Sequence, residues 1–317
     1  MNKTRNSSID AAAGVMIITM LLVHVVIFAH ATDSNFYNTL LCIFGFYMQW
    51  FFFKAGMFFK PTTNFKVLIQ KKQKRLIRPY IFMFICGQFF YSLSLLTQKD
   101  YKITHHILKP IEYTFTTGAP NSISPLWFLL TLFASTILLN YIITKKKWFL
   151  FAICVIIPFF INYTKPYYIA NICSGIIFMF LGYKFKNIQY NKHIFIISIT
   201  MYAILQSIYP SAIHMRANNV AIGSYILSYP AAILGIISIN NIFKNIKYSF
   251  PILSLIGRNS MGIYLFHWII LTIVETLFTL FSIDNHQLYT AALIISNIIL
   301  LPIIITLIRR SRYSDII

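Results

Sequence analysis

The sequence predicts an all-α, polytopic integral-membrane protein of about ten transmembrane helices with both termini in the cytoplasm. Three observations predict it. Hydrophobic residues make up 58% of the 317 and charged residues only 11%, with a mean hydropathy of +0.69. A soluble domain of this length could not bury that much apolar surface in one core, so lipid has to be the solvent. Apolar runs of about 20 residues recur along the chain, and the cations fall between them in an alternating pattern.

The runs are residues 9–30, 36–59, 79–97, 123–143, 147–163, 167–184, 193–209, 220–241, 260–281 and 288–308. The fifth and sixth are the least regular, because Pro158 and Pro166 interrupt them. With the N-terminus inside, the inner segments hold 21 of the 27 Lys and Arg residues: Lys3, Arg5, the seven from Lys60 to Arg78, Lys145 to Lys147, Lys184, Lys186, Lys192, Lys244, Lys247, Arg258, Arg309, Arg310 and Arg312. The outer segments hold five, Lys99, Lys102, Lys109, Lys165 and Arg216, and Lys54 lies within a span. That asymmetry is the positive-inside pattern. A formal charge of +20 in a soluble chain would point to nucleic acid; here it reports topology, and nucleic acid is excluded as a partner.

Lys3 and Arg5, an apolar run, and then Ala29-His30-Ala31 resemble a cleavable signal peptide. The run is longer than a usual signal core and carries Asp10 and His24, so a retained first helix is expected. Cys42, Cys86, Cys154 and Cys173 fall within spans without paired spacing and are read as apolar fillers, with neither disulfide nor metal expected. The longest connections are the outer one from Gln98 to Ile123 and the inner one from Lys60 to Arg78, so residues 1–317 are expected to form one membrane domain. The inner connection, with seven cations, reads as a basic segment along the headgroups, or as a seat for the phosphates of a nucleotide-like donor, for which the forked guanidinium groups of Arg75 and Arg78 suit.

Ionisable groups at membrane depth are costly and so point to function. They are Asp10, His24, Lys54, His267 and Glu275. Fourteen residues separate Asp10 from His24, which at about 100° per residue returns to within about 40° of one helix face, roughly 21 Å along the axis. A neutral imidazole at that depth can take a proton from a hydroxyl, or can hydrogen-bond a neighbouring helix as packing. His267 and Glu275 lie about 80° apart around one helix and could line one cavity. Lys54, near an inner helix end, can extend its ammonium to the interface.

Six motifs in order, from residue 5 to 267, together resemble acyltransferase family 3, the integral-membrane acyltransferases that include O-antigen acetylases and fucose 4-O-acetylase-like proteins. They are RNSSIDAAAGVMIITMLLVH with Asp10, Gly14 and His24; FFFKAGMFF with Ala55 and Gly56; KKQKRLIRPY; SPLWFLLTLF; FMFLGYKF; and IGRNSMGIYLFH. One departure stands out: the family usually carries Arg or Lys immediately before the glycine, where this chain has Ala13. That cation would have shared the His24 face about 16 Å away, and Arg5 or Lys54 are the candidates to replace it.

The resemblance implies a sugar O-acetyltransferase of the bacterial cell (inner) membrane. It would carry an acetyl or other acyl group from cytoplasmic acetyl-CoA, a co-substrate rather than a bound cofactor, to a hydroxyl of a surface polysaccharide or lipid-linked glycan. His24 would be the general base, accompanied by Asp10. By the resemblance the basic motif with Lys74, Arg75 and Arg78 would lie on the acyl-CoA side, and Trp127, Asn259, Ser260, Tyr264 and His267 would line the site; Lys54 and Glu275, singled out by their depth in the membrane, are expected on the donor and the acceptor side. The alternatives are a polysaccharide or glycolipid transporter, to which the lack of a visible internal repeat is unfavourable, and a non-catalytic component of a polysaccharide assembly system. The acceptor sugar and the oligomeric state are left open, a homo-oligomer included.

Overall fold

The structure is a computed structural model and describes residues 7–95, 103–160, 167–186, 191–210, 215, 222–245 and 250–310. Among these every regular element is helical. In order they are α1 (Ser7–Phe28), α2 (Asn35–Phe44), α3 (Tyr47–Met57), α4 (Phe65–Lys72), a π turn (Gln73–Ile77), α5 (Arg78–Leu95), α6 (Ile103–Thr117), a 3-10 segment (Asn121–Leu126), α7 (Trp127–Thr144), α8 (Trp148–Phe160), α9 (Tyr167–Phe185), α10 (Lys192–Ile208), α11 (Ile222–Asn245), α12 (Pro251–Arg258), α13 (Ser260–Leu280) and α14 (His286–Arg310). The described residues of each expected run are mostly helical. Seven stretches, 7–28, 35–57, 108–144, 168–185, 226–245, 260–280 and 286–310, are long and apolar enough to cross a membrane, while α8 and α10 are apolar but shorter.

Four segments depart from the expectation. The second span is broken at Gly45 and Phe46 into α2 and α3. In lipid the carbonyls released by such a break need donors, and the Tyr202 hydroxyl of α10 supplies them, donating to Cys42 O at 2.7 Å and Ile43 O at 3.0 Å. The outer connection from Gln98 to Ile123 is not a plain loop, since it contains α6, whose Leu108, Ile111 and Phe115 are exposed. The inner segments also fold: the basic one becomes α4 and the π turn, and the segment before the ninth run of the expected helices becomes α12.

Close backbone approach sets the packing, as it does where lipid removes the hydrophobic drive between helices. α1 is the most deeply buried of the crossing stretches and packs against α12. A Cβ at Gly257 would be driven into the Asp10 carbonyl, and one at Gly14 into the Leu253 carbonyl. Ser254 Oγ closes the same contact by donating to Ser7 O at 3.1 Å. α3 and α9 meet in the same way, Gly56 against the Met179 carbonyl and Gly182 against the Phe53 carbonyl. The chain leading into α4 is held from the side by the fully buried Asn140 of α7, which accepts from Thr62 N at 2.9 Å and donates to Thr62 O at 2.9 Å.

Gly257→Ala is therefore expected to push α12 off α1 and to cost about 1–3 kcal/mol. The measurement is the midpoint of thermal unfolding in detergent; a midpoint unchanged from the wild type would show that the close approach is not required.

Candidate active site

His24 sits on the fifth turn of buried α1, and His267 on α13, which begins beside the same end of α1 and packs along it. His24 Nδ1 and His267 Nε2 are 2.8 Å apart, with the rings within 10° of parallel. His267 is fully buried, and its Nδ1 lies 3.0 Å from Ile263 O and 2.9 Å from Tyr264 O, the two carbonyls one turn back on its own helix. His24 is only half-buried. Trp268 stands edge-on to His24 with ring centres 5.2 Å apart, and its indole Nε1 donates to Ser122 O at 3.1 Å. The Tyr264 hydroxyl donates to Pro125 O. The segment 121–126 is thereby fastened to α13 by two hydrogen bonds, one on either side of His267.

A pocket of about 290 Å³ ends one turn short of this pair. Its deep wall includes Ile17 and Met20, which precede His24 by seven and four residues on one face of α1, and Tyr264, which precedes His267 by three. Met48, Phe51, Phe128 and Leu129 line its flanks, and Ser260 and Met261 come from the start of α13. Lys54, Lys72 and Arg75 give it a cationic end. The π turn contributes here by its extra residue per turn: Leu76 is buried against the pocket while Arg75, the adjacent residue, also lines it. Lys54 Nζ lies 5.5 Å over the Trp50 ring, whose Nε1 donates to Asn240 Oδ1 at 3.0 Å.

Lys72 lies outside the spans, and partial burial lowers its ammonium from the ordinary 10.5 to about 8, with the neighbouring charges of Arg75 and Lys71 acting in the same direction. Three cations held together at a pocket mouth repel one another and are relieved by an anion, so this end suits phosphate groups.

Of the residues expected from the sequence, the structure brings His24 and His267 into contact, and gathers Lys54, Arg75, Ser260 and Tyr264 around one pocket. Lys74 and Arg78 belong to the same basic segment but are exposed and lie outside that lining. Phe128, not Trp127, lines the pocket and meets Tyr264; Trp127 is buried edge-on to Phe128 beside Gly118. Asn259 closes α12, its Nδ2 donating to Leu255 O at 2.7 Å. Glu275 stands two turns beyond His267, about 12 Å along α13, toward Tyr289 and His30.

Asp10, expected to accompany His24, lies about 21 Å from it along α1. Its buried carboxylate faces Arg258 Nε at 3.4 Å at the α1–α12 contact, and the ring that hydrogen-bonds His24 is His267. Arg5, a candidate to replace the cation absent at position 13, lies outside the described residues. Ala13 itself is fully buried, while Lys54 is in the pocket lining. Sequence reasoning missed Lys72, Trp268, Phe128 and Asn140. Lys72 and Phe128 lie within the motifs at 71–80 and 124–133, and Trp268 directly follows the one that ends at His267; the polar role of Asn140 had no signal.

An imidazole pair one turn beyond an apolar slot with a cationic mouth has the chemistry to accept a proton from an alcohol next to an elongated anionic ligand. The acyltransferase domain family, acyltransferase family 3, matches residues 6–308, and the chain belongs to it. No curated protein and no solved structure matches the chain.

Asp10→Asn removes one side of an ion pair whose other side is half in solvent, so a loss of about 1–2 kcal/mol of stability is expected, with turnover per folded molecule retained. A turnover loss of 100-fold in protein of normal thermal midpoint would restore Asp10 to the chemistry.

Proposed function

We propose that this membrane acyltransferase is an O-acetyltransferase that takes the acetyl group of cytoplasmic acetyl-CoA to a hydroxyl of a surface polysaccharide or lipid-linked glycan in the bacterial inner membrane. The observation that carries the reading is the alignment of the cationic pocket mouth, the apolar slot and the His24–His267 pair along α1 and α13. The phosphates of the donor fit Lys54, Lys72 and Arg75, which also answers the cation absent at Ala13. The narrow pantetheine arm fits between Met48, Phe51 and Phe128, bringing the thioester toward Met20 and Tyr264. Ser260 and Tyr264 line that arm, while Glu275, Asn259 and Trp127 serve the surrounding frame or the acceptor side.

The acceptor hydroxyl approaches His24 from the half-buried side of the ring. His24 takes the hydroxyl proton, the oxygen attacks the thioester carbonyl, and the carbon–sulfur bond breaks to release the thiolate of CoA. Holding both substrates in one geometry supplies the entropic part of the acceleration. A transporter would need a polar route from face to face, and the slot's apolar wall beneath His24 favours a closed reaction chamber over such a route.

Reconstitution with labelled acetyl-CoA and a lipid-linked glycan tests the assignment. His24→Ala is expected to lower transfer by at least about 100-fold while acetyl-CoA still protects against thermal unfolding. Unchanged transfer would remove His24 from the chemistry, and absence of any protection in the wild type would remove the donor.

Donor affinity also carries a pH signature. Lys72 is charged below about pH 8 and neutral above it, so acetyl-CoA affinity is expected to fall as the pH rises through 8. Lys72→Arg, which keeps its charge throughout, is expected to flatten the profile between pH 7 and 9. A profile identical in both proteins would separate Lys72 from the phosphates.

A further inference from the structure

The geometry points to His267 as a positioning residue that fixes the proton of His24 on Nδ1 and so leaves Nε2 of His24 as the base atom. This rests on the reading of His24 as general base and adds which nitrogen acts and what selects it.

The argument starts from two carbonyls. His267 Nδ1 lies within hydrogen-bond distance of Ile263 O and Tyr264 O. A carbonyl only accepts, so Nδ1 of His267 must carry hydrogen. His267 is fully buried at membrane depth, and its hydrogen-bond partners are two carbonyls and an imidazole with no carboxylate among them. An imidazolium there would lack a counter-charge, so the ring is neutral and its Nε2 holds a lone pair. That lone pair faces His24 Nδ1 at 2.8 Å. Two bare nitrogens would repel at this distance, so Nδ1 of His24 is the donor, and a neutral His24 then has its own lone pair on Nε2.

The backbone of α13 thus dictates, through one intervening ring, the tautomer of a side chain on α1. Free histidine slightly favours the other tautomer, with hydrogen on Nε2, which would leave the lone pair of His24 directed at its partner and useless to substrate. The arrangement also covers the charged state. When Nε2 of His24 takes the proton from the acceptor hydroxyl, the imidazolium keeps its Nδ1–H bond to His267 Nε2, and that bond strengthens as the donor becomes charged. The alkoxide electrons form the new ester bond, the carbon–sulfur electrons leave on the CoA thiolate, and the proton on Nε2 of His24 passes to that sulfur. His24 returns to its starting tautomer with Nδ1–H untouched. Trp268, edge-on to His24 and tied to Ser122 O, limits rotation of the ring out of this plane.

The test has a spectroscopic and a kinetic arm. In 15N-histidine-labelled protein reconstituted in lipid nanodiscs, the His24 signals are those missing from a His24→Gln variant. Neutral His24 is expected to show its hydrogen on Nδ1 in the wild type and to shift it to Nε2 in His267→Leu, which fills the space without an acceptor. A wild-type His24 with hydrogen on Nε2 overturns the proposal, whether or not His267→Leu can be purified and whether or not any acetyl transfer is detected, so its failure is distinct from failure of the assigned reaction. In the transfer assay His267→Leu is expected to lower kcat by about 10-fold to 10⁴-fold, the range for a partner that orients a reactive histidine, with KM for acetyl-CoA within about twofold of wild type. His267→Gln, whose side-chain oxygen can accept from His24 Nδ1, is expected to recover at least 10-fold of that loss. A kcat unchanged in His267→Leu, or a His267→Gln no better than His267→Leu, overturns it as well.

Discussion

The contact between α1 and α12 is the constraint on which the rest of the structure depends. Glycines at 14 and 257 let the two backbones touch, and the Asp10–Arg258 pair and the Ser254–Ser7 bond fix the register at that point. α13 leaves α12 at Asn259 and runs along α1. The depth of His267 is therefore measured from the same origin as the depth of His24. The 2.8 Å contact between His24 and His267 shows that the two imidazoles reach the same level. A slip of one turn would move the rings about 5.4 Å apart along the axis and end the hydrogen bond.

From that origin the chain is organised as an axial sequence of environments. Cations from α3, α4 and the π turn gather at one end, apolar and aromatic side chains form the middle, and the imidazole pair lies one turn beyond the slot. The order separates charge from chemistry by the thickness of several helical turns, which is the separation an elongated ligand with a charged head and a reactive tail would span. On the proposed reading both rings are neutral until a proton is transferred, so no formal charge is needed beside the pair. Several polar groups that enter the interior find partners on other segments: Asn140 with the backbone at Thr62, Tyr202 with the carbonyls freed at the α2–α3 break, Trp50 with Asn240. Each also has a positioning consequence. Asn140 steadies the chain that leads into the basic segment, and Tyr202 permits the break from which α3 sets out on its own line past the pocket.

The pair itself resembles a triad in which a backbone takes the place of the carboxylate. Orientation of a reactive histidine normally comes from an acidic side chain, whose charge would be expensive at this depth. Two carbonyls acting through a second ring supply direction without charge. The cost is a weaker hold, and the surrounding anchors at Ser122 and Pro125, both reached from α13, compensate by limiting how the pair can move.

Long apolar runs, with cations placed between them, specify a helical membrane protein because lipid admits no unpaired backbone. The six ordered motifs specify the family, and the rarity of ionisable groups at membrane depth singles out His24, His267 and Lys54 without any coordinates. The tertiary structure alone decided how those residues combine. Helix periodicity places Asp10 and His24 on one face, yet it cannot say that Asp10 is claimed by Arg258 and His24 by His267, because those partners lie more than 240 residues away in sequence. It places Trp127 and Phe128 side by side without saying which faces the pocket. It reads the connections at 60–78 and 98–123 as loops, because α4, the π turn and α6 are stabilised by what they pack on and not by their own apolar runs. Local pattern records which environment each residue can tolerate; which neighbour it meets there is set by helix crossings, and these are fixed by backbone contacts such as Gly14 with Leu253 that leave no periodic trace in the chain.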